Sequence, residues 1–218
     1  MSTNIALIHA IYAAVSPVEQ AFADDWPEAN LTSLLAEDLT QMLSYAGKQT
    51  DNIRHRIQQL TNFATQANVD GILFTCSAFG DSIEAARKNP SIPILKPNEA
   101  MFEEALELGG RVGMLVTFEA AIASMANEYA QVAHDSGKEN TLETHYVPGA
   151  LDAINSGKVE NHHHFLAQAA EQLPSYDVLM LAQFSMSGAK SNVEKSTDAK
   201  VLTSPGSAIM KLKKLISA

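Results

Sequence analysis

The chain has 218 residues, 46 % of them hydrophobic, and a formal charge of −10 from 15 Lys+Arg against 25 Asp+Glu. With a mean hydropathy of −0.06 this describes a soluble globular protein long enough to bury a substantial core, and the acidic balance argues against nucleic-acid binding and against anionic membrane surfaces, both of which call for a basic footprint. One cysteine excludes an internal disulfide and a thiolate zinc cluster. It fits a reducing compartment; with no basic n-region in Met-Ser-Thr-Asn and no apolar run of membrane length, the expected location is cytoplasmic.

Residues 5–10 are a short apolar run and the first predicted strand. Ser16-Pro17-Val18-Glu19 reads as a capping box with Pro at the first helical position, and the helix it opens should end at Trp26-Pro27. Residues 31–35 are a second strand and 37–45 a helix closing at Gly47. Thr50-Asp51 caps a helix whose Ile53, Ile57, Leu60, Phe63 and Ala64 recur at helical spacing. A third strand follows from Asp70, a helix over 81–88, and a fourth strand over 92–95. Pro97-Asn98 opens a helix offering Ala100, Met101, Ala105 and Leu108 for burial, stopped by Gly109-Gly110.

After Gly110 the pattern starts again. Val112-Gly113-Met114-Leu115-Val116-Thr117 repeats Ile5-Ala6-Leu7-Ile8-His9-Ala10, and Asp177-Val178-Leu179-Met180-Leu181-Ala182-Gln183 repeats Asp70-Gly71-Ile72-Leu73-Phe74-Thr75-Cys76. Both displacements are 107 residues (5 to 112, 70 to 177). Val201-Leu202, Pro205 and Ala208 echo Ile94-Leu95, Pro97 and Ala100, while 141–147 stands for the second strand and 150–155 and 161–173 for the helices. Equal displacement of separate strands implies a duplicated unit. The expected fold is α/β, with two pseudo-symmetric Rossmann-like lobes, each a roughly four-stranded parallel sheet flanked by helices. Residues 1–102 form the first lobe and 103–206 the second; the amphipathic helix 207–218, with Ile209, Leu212, Leu215 and Ile216 on one face, packs back onto a lobe.

Ligands of parallel α/β sheets bind beyond the carboxyl ends of the strands. That makes His9, Ala10, Thr75, Cys76 and Ser77 the candidates in the first lobe and Val116, Thr117, Gln183, Phe184 and Ser185 in the second, expected to face each other across a cleft. Cys76, between a strand and a helix, has unpaired backbone N–H groups in reach, a setting that lowers a thiol pKa. A small buried hydrophobe is the other reading of a lone cysteine. Thr75, Ser77 and Thr117 have hydroxyls suited to a carboxylate or, equally, to helix capping. His162-His163-His164 point in different directions on a helix, so they read as a solvated helix start and not as a zinc site. Met101, Met114, Met125, Met180 and Met186 read as core, and no phosphate-loop motif is present.

With Phe74-Thr75-Cys76-Ser77 after a strand, Gly113-Met114-Leu115-Val116-Thr117 opening the second half, and Leu181-Ala182-Gln183-Phe184-Ser185-Met186, the chain resembles the aspartate/glutamate/hydantoin racemase family over essentially its whole length. In that family a cysteine follows the third strand of each lobe and the pair flanks the substrate α-carbon, one thiolate taking the proton and the other thiol giving one back, without a cofactor. The resemblance implies that Cys76 is the first of the pair, that Thr75, Ser77 and Thr117 lie at substrate-carboxylate positions, and that His9 stands where hydantoin racemases often carry Asn. It implies no cofactor or metal, a small carboxylate-bearing substrate, and a homo-oligomer, dimer or larger.

The second cysteine falls at Gln183, and a neutral amide neither gives nor takes a proton at usable pH. Three repairs stay open. Ser185, Ser187 or His9 supplies the other acid; or a single donor suffices, as in the related arylmalonate decarboxylases, which keep the other cysteine; or Cys76 is a nucleophile, as in maleate isomerases, with Gln183 orienting the substrate. The functional readings are a racemase, epimerase or isomerase acting through Cys76; a one-cysteine decarboxylase or lyase; and a non-catalytic small-ligand binder, for which an ordinary Cys76 pKa and ligand-induced stabilisation without turnover would speak.

Overall fold

The computed structural model describes residues 3–88, 90–138 and 140–217. The chain divides into two compact units, residues 1–97 with 208–218, and residues 98–207. In the first, β1 (Asn4–His9), β2 (Asn30–Leu35), β3 (Gly71–Phe74) and β4 (Ile94–Leu95) form a sheet of order β2-β1-β3-β4. All pairs are parallel, as strand–helix alternation requires. Helices α1 (Val15–Asp25), α2 (Asp38–Ala46), α3 (Asp51–Gln66) and α4 (Gly80–Ala86) make the crossovers.

Helix α5 (Glu99–Leu108) belongs whole to the second unit. That unit holds β5 (Val112–Val116), α6 (Ile122–Asp135), β6 (Leu142–Tyr146), α7 (Ala150–Asn155), α8 (Val159–Gln172), β7 (Val178–Leu181), α9 (Lys190–Glu194) and β8 (Lys200–Thr203). Its sheet order, β6-β5-β7-β8, is that of the first, again all parallel. The last helix, α10 (Ser204–Ser217), starts in the second unit and from Ala208 onward belongs to the first.

The 107-residue displacement holds bond by bond. Ile5 pairs with Gly71 and Val112 with Val178; Ile72 pairs with Ile94 and Leu179 with Val201. The repeated aspartates are strand clamps. Asp70 Oδ2 accepts the Asn4 N–H at 2.8 Å and Asp177 Oδ2 the Arg111 N–H at 2.7 Å, pairing the donor that opens the central strand. Only the second strand drifts: Ile5 pairs with Leu31, whereas Val112 pairs with Leu142, four residues later than a strict repeat.

Side-chain alternation puts helices on both faces. Ala6, Ile8, Ile72 and Phe74 pack with Leu39, Ile53, Ile57 and Ile83; on the other face Leu212 and Ile216 of α10 approach Gly71 and Ile5, leaving room for no more than a hydrogen on Gly71 without movement. In the second sheet Met114, Val116 and Met180 meet α5 and α6, and Leu115, Leu179 and Leu181 meet α8 and α9. Each such fully buried aliphatic side chain contributes about 1.5–3 kcal/mol. No helix among the described residues is long and apolar enough to cross a membrane.

Several local expectations are corrected. No capping box forms at Ser16: α1 starts at Val15 after a 3-10 turn over Tyr12–Ala14, without a side-chain cap. The same turn precedes α6 at Glu119–Ala121, 107 residues on, so the strand exit sets the start of the helix. Pro17 is tolerated in the first turn because its missing N–H has no intrahelical partner to lose. Phe63 is 62 % exposed. At about 100° per residue it lies well off the stripe of Ile53, Ile57 and Ala64. Leu108 and Leu215 also face outward, while Thr50 does cap α3 through Ile53 N–H. His162 is not on a solvated helix start: it is fully buried in α8.

Candidate active site

The candidate residues fall into two bonded pairs, one in each unit. In the first, β1 ends at His9 and β3 at Phe74, and parallel pairing continues one step further through Thr75 N–H to the Ile8 carbonyl. That step brings His9 and Thr75 side by side. His9 Nδ1 and Thr75 Oγ1 are 2.9 Å apart, both side chains buried. Thr75 Oγ1 also lies 3.4 Å from the Ile8 carbonyl; assigning the hydroxyl proton to that carbonyl makes Oγ1 the acceptor of a proton on His9 Nδ1. Nε2 keeps its lone pair, buried and without a partner among the described residues. Burial holds the His9 pKa below its ordinary value, and the Glu19 carboxylate opposes this.

Cys76 follows Thr75 directly, half-buried, and precedes a 3-10 turn over Ser77–Phe79. Here the expected electrostatics reverse. Burial raises the thiol pKa above its ordinary value, and one hydrogen bond from the Ala78 backbone only partly offsets this. Desolvation penalises the thiolate more than a single N–H relieves it. Both shifts, the thiol's upward and the imidazole's downward, run against a resting thiolate–imidazolium pair. Ser77 is exposed.

The second unit is built on the same plan with different chemistry. Val116 stands where His9 does and Ala182 where Thr75 does, both buried and apolar. Thr117 stands at the place of Ala10, and Gln183 at that of Cys76. Gln183 Oε1 accepts from the Thr117 backbone N–H at 3.0 Å and from its hydroxyl at 3.2 Å. The donors expected to serve a substrate carboxylate thus hold the protein's own amide. Gln183 Nε2 has the Met125 sulfur at 3.8 Å, and the Gln183 backbone N–H has the Met186 sulfur at 3.4 Å. Phe184 is buried; Ser185 is half-buried. Ser187 donates to the Phe184 carbonyl at 2.8 Å, an internal turn bond.

Sequence reasoning missed the second part played by Met125 and Met186, which it read as core: both are buried, and the Met125 sulfur lies by the Gln183 side-chain NH2 and the Met186 sulfur by the Gln183 backbone N–H. It also missed that Thr117 pairs with Gln183. The repeat carried the signal for the second, since residues one past β5 and two past β7 adjoin in a parallel pair. All the titratable groups of the two strand-end sets, His9 and Cys76, are on the first unit.

A family model described as Asp/Glu/Hydantoin racemase matches residues 13–212. A search of curated protein sequences finds no match. Among solved structures the chain is similar to glutamate racemase isoform RacE1 from Bacillus anthracis, with 14 % identity, a TM-score of 0.71, and coverage of 99 % of this chain and 82 % of that one. It is similar to allantoin racemase from Klebsiella pneumoniae at 13 % identity and TM-score 0.70, covering 99 % and 88 %. It is also similar to unliganded arylmalonate decarboxylase at 13 % and 0.71, covering 98 % and 92 %. At such identities these likenesses speak for the fold, two four-stranded parallel sheets flanked by helices. With 200 consecutive positions spanned by the family model, the chain belongs to the Asp/Glu/Hydantoin racemase family.

Proposed function

We propose that this protein is a cofactor-independent isomerase of the racemase or epimerase type, acting on a small carboxylate-bearing substrate of the aspartate, glutamate or hydantoin kind through Cys76. The observation that carries the reading is the place of Cys76: half-buried beyond the carboxyl end of β3, next to the His9–Thr75 pair, in a chain of this family. A thiol kept protonated by burial is suited to give a proton to a carbanion at the α-carbon. It becomes a base once it has given up that proton. Localisation in the cytoplasm and assembly as a homo-oligomer belong to the same proposal.

Incubation in deuterium oxide with each enantiomer of aspartate, glutamate and allantoin tests it. α-Deuteration by the wild type, abolished in Cys76→Ala, is the expected result. Absence of exchange with every substrate, or exchange unaffected by Cys76→Ala, refutes the acid/base role.

A second reading is favoured by one observation: both titratable groups lie on the first unit, and Gln183 cannot move a proton. A one-cysteine decarboxylase generates its carbanion by losing carbon dioxide and needs only one proton donor. Release of carbon dioxide from phenylmalonate, without α-deuteration of amino acids, would select it over the isomerase.

A further inference from the structure

Where the first unit has Ala10 beside Cys76, the second has Thr117 beside Gln183, and the two exchanges fit each other chemically. A backbone N–H can only donate, so the Gln183 atom 3.0 Å from Thr117 N is the carbonyl oxygen. The Thr117 hydroxyl, 3.2 Å from the same oxygen, fills its second lone pair. Ala10 could offer no such hydroxyl. The orientation of the carboxamide is thereby fixed, and its NH2 is the end left for chemistry. That NH2 has two protons, and among the described residues its one acceptor is the Met125 sulfur at 3.8 Å, a weak one. Gln183 itself is only half-buried.

We propose that Thr117 is a positioning residue that holds the Gln183 carboxamide by its oxygen, so that the NH2, whose acceptor among the described residues is the weak Met125 sulfur, is the neutral hydrogen-bond donor the second unit offers to a ligand oxygen. The assignment rests on the reading of Gln183 as part of the reaction site and names its role. It selects the ligand: a carboxylate, carboxamide or ureide oxygen is accepted, and an ammonium group is not. Such a donor also stabilises the negative charge that grows on a carboxylate or carbonyl oxygen when the α-carbon becomes a carbanion. It does this without exchanging a proton. Thr117 then binds no substrate in this arrangement; its two donors act through Gln183.

The test uses the full-length protein labelled with 15N-glutamine, with L-glutamate as the oxygen-bearing probe and methylammonium as the cation control. The side-chain NH2 resonances of Gln183, assigned by their loss in Gln183→Met, are expected as a resolved pair that shifts with L-glutamate and not with methylammonium. Thr117→Val removes one of the two locking donors and is expected to collapse that pair toward the free-glutamine position and weaken L-glutamate binding several-fold. Thr117→Ser restores both and controls for folding. Gln183→Glu keeps an acceptor for Thr117 but turns an anionic oxygen on the probe, weakening binding at least tenfold. An amide pair unmoved by L-glutamate, or unchanged in Thr117→Val, overturns the proposal, as does undiminished binding in Gln183→Glu. These readouts need no turnover. An amide that responds in a protein without α-exchange counts against the isomerase reading alone, and exchange with an unresponsive amide counts against this proposal alone.

Discussion

His162 lies in α8 with its side chain buried, and neither ring nitrogen has a hydrogen-bond partner among the described residues. Burial, reinforced by the His163 ring 5.6 Å away, brings its pKa down from 6.5 to about 4. The unfolded chain titrates near the ordinary value, about 6.5. Between these values the unfolded state binds a proton that the folded state does not, so stability falls as the pH drops through that window. At about 1.4 kcal/mol for each pH unit, the contribution lost from pH 7 to pH 4 is about 3 kcal/mol, and about 2 kcal/mol by pH 5. His162→Leu removes both the titration and two unpaired nitrogens, each such buried polar group costing about 1–3 kcal/mol. We expect the variant to be more stable than the wild type at pH 7 by at least about 2 kcal/mol, with the gap widening by about a further 2 kcal/mol at pH 5. Urea unfolding followed by circular dichroism at pH 7, 6, 5 and 4.5 measures both. The carboxylates titrate alike in the two proteins and cancel in the difference. A gap that stays constant with pH, or a variant less stable at pH 7, would refute the reasoning.

Three further outcomes are expected. Because burial raises the Cys76 pKa, the free protein should react with iodoacetamide at pH 7.5 more slowly than N-acetylcysteine does, and accelerate as the pH rises; faster alkylation would show an activated thiolate. The Tyr129 hydroxyl is buried with no partner among the described residues, its pKa pushed up to about 12 by burial. Tyr129→Phe should therefore leave the melting temperature unchanged or raise it, by up to about 1 kcal/mol of stability, and a loss beyond that would reveal a bond to the hydroxyl. A Cβ on Gly113 would stand 2.9 Å from the Tyr176 ring. Hydrogen bonds to Glu143 at 2.9 Å and His145 at 2.6 Å hold that ring. Gly113→Ala should cost about 1–3 kcal/mol through overpacking, read as a lowered urea midpoint; an unchanged midpoint would mean that the ring yields.

The sequence alone determined the strands, their parallel pairing and the duplication, because those follow from local apolar period, strand–helix alternation and spacing, while the order of strands within each sheet came from the tertiary structure. The 107-residue displacement, read from two motifs, reappears in the hydrogen-bond register of three strands in each sheet and in the Asp70 and Asp177 clamps. It also singled out the place of Cys76 beyond β3. What the sequence could not decide is everything set by neighbours remote in the chain. The capping motif at Ser16 lost to the geometry of the strand exit. The depth of burial of Cys76 and His162, and so the direction in which each titrates, comes from helices and strands packed around them. The orientation of the Gln183 carboxamide is set by a partner 66 residues away, Thr117. A residue type states which bonds a side chain can make; only the tertiary structure decides which of them it makes, because hydrogen bonds and desolvation act over a few ångströms of space and not along the chain.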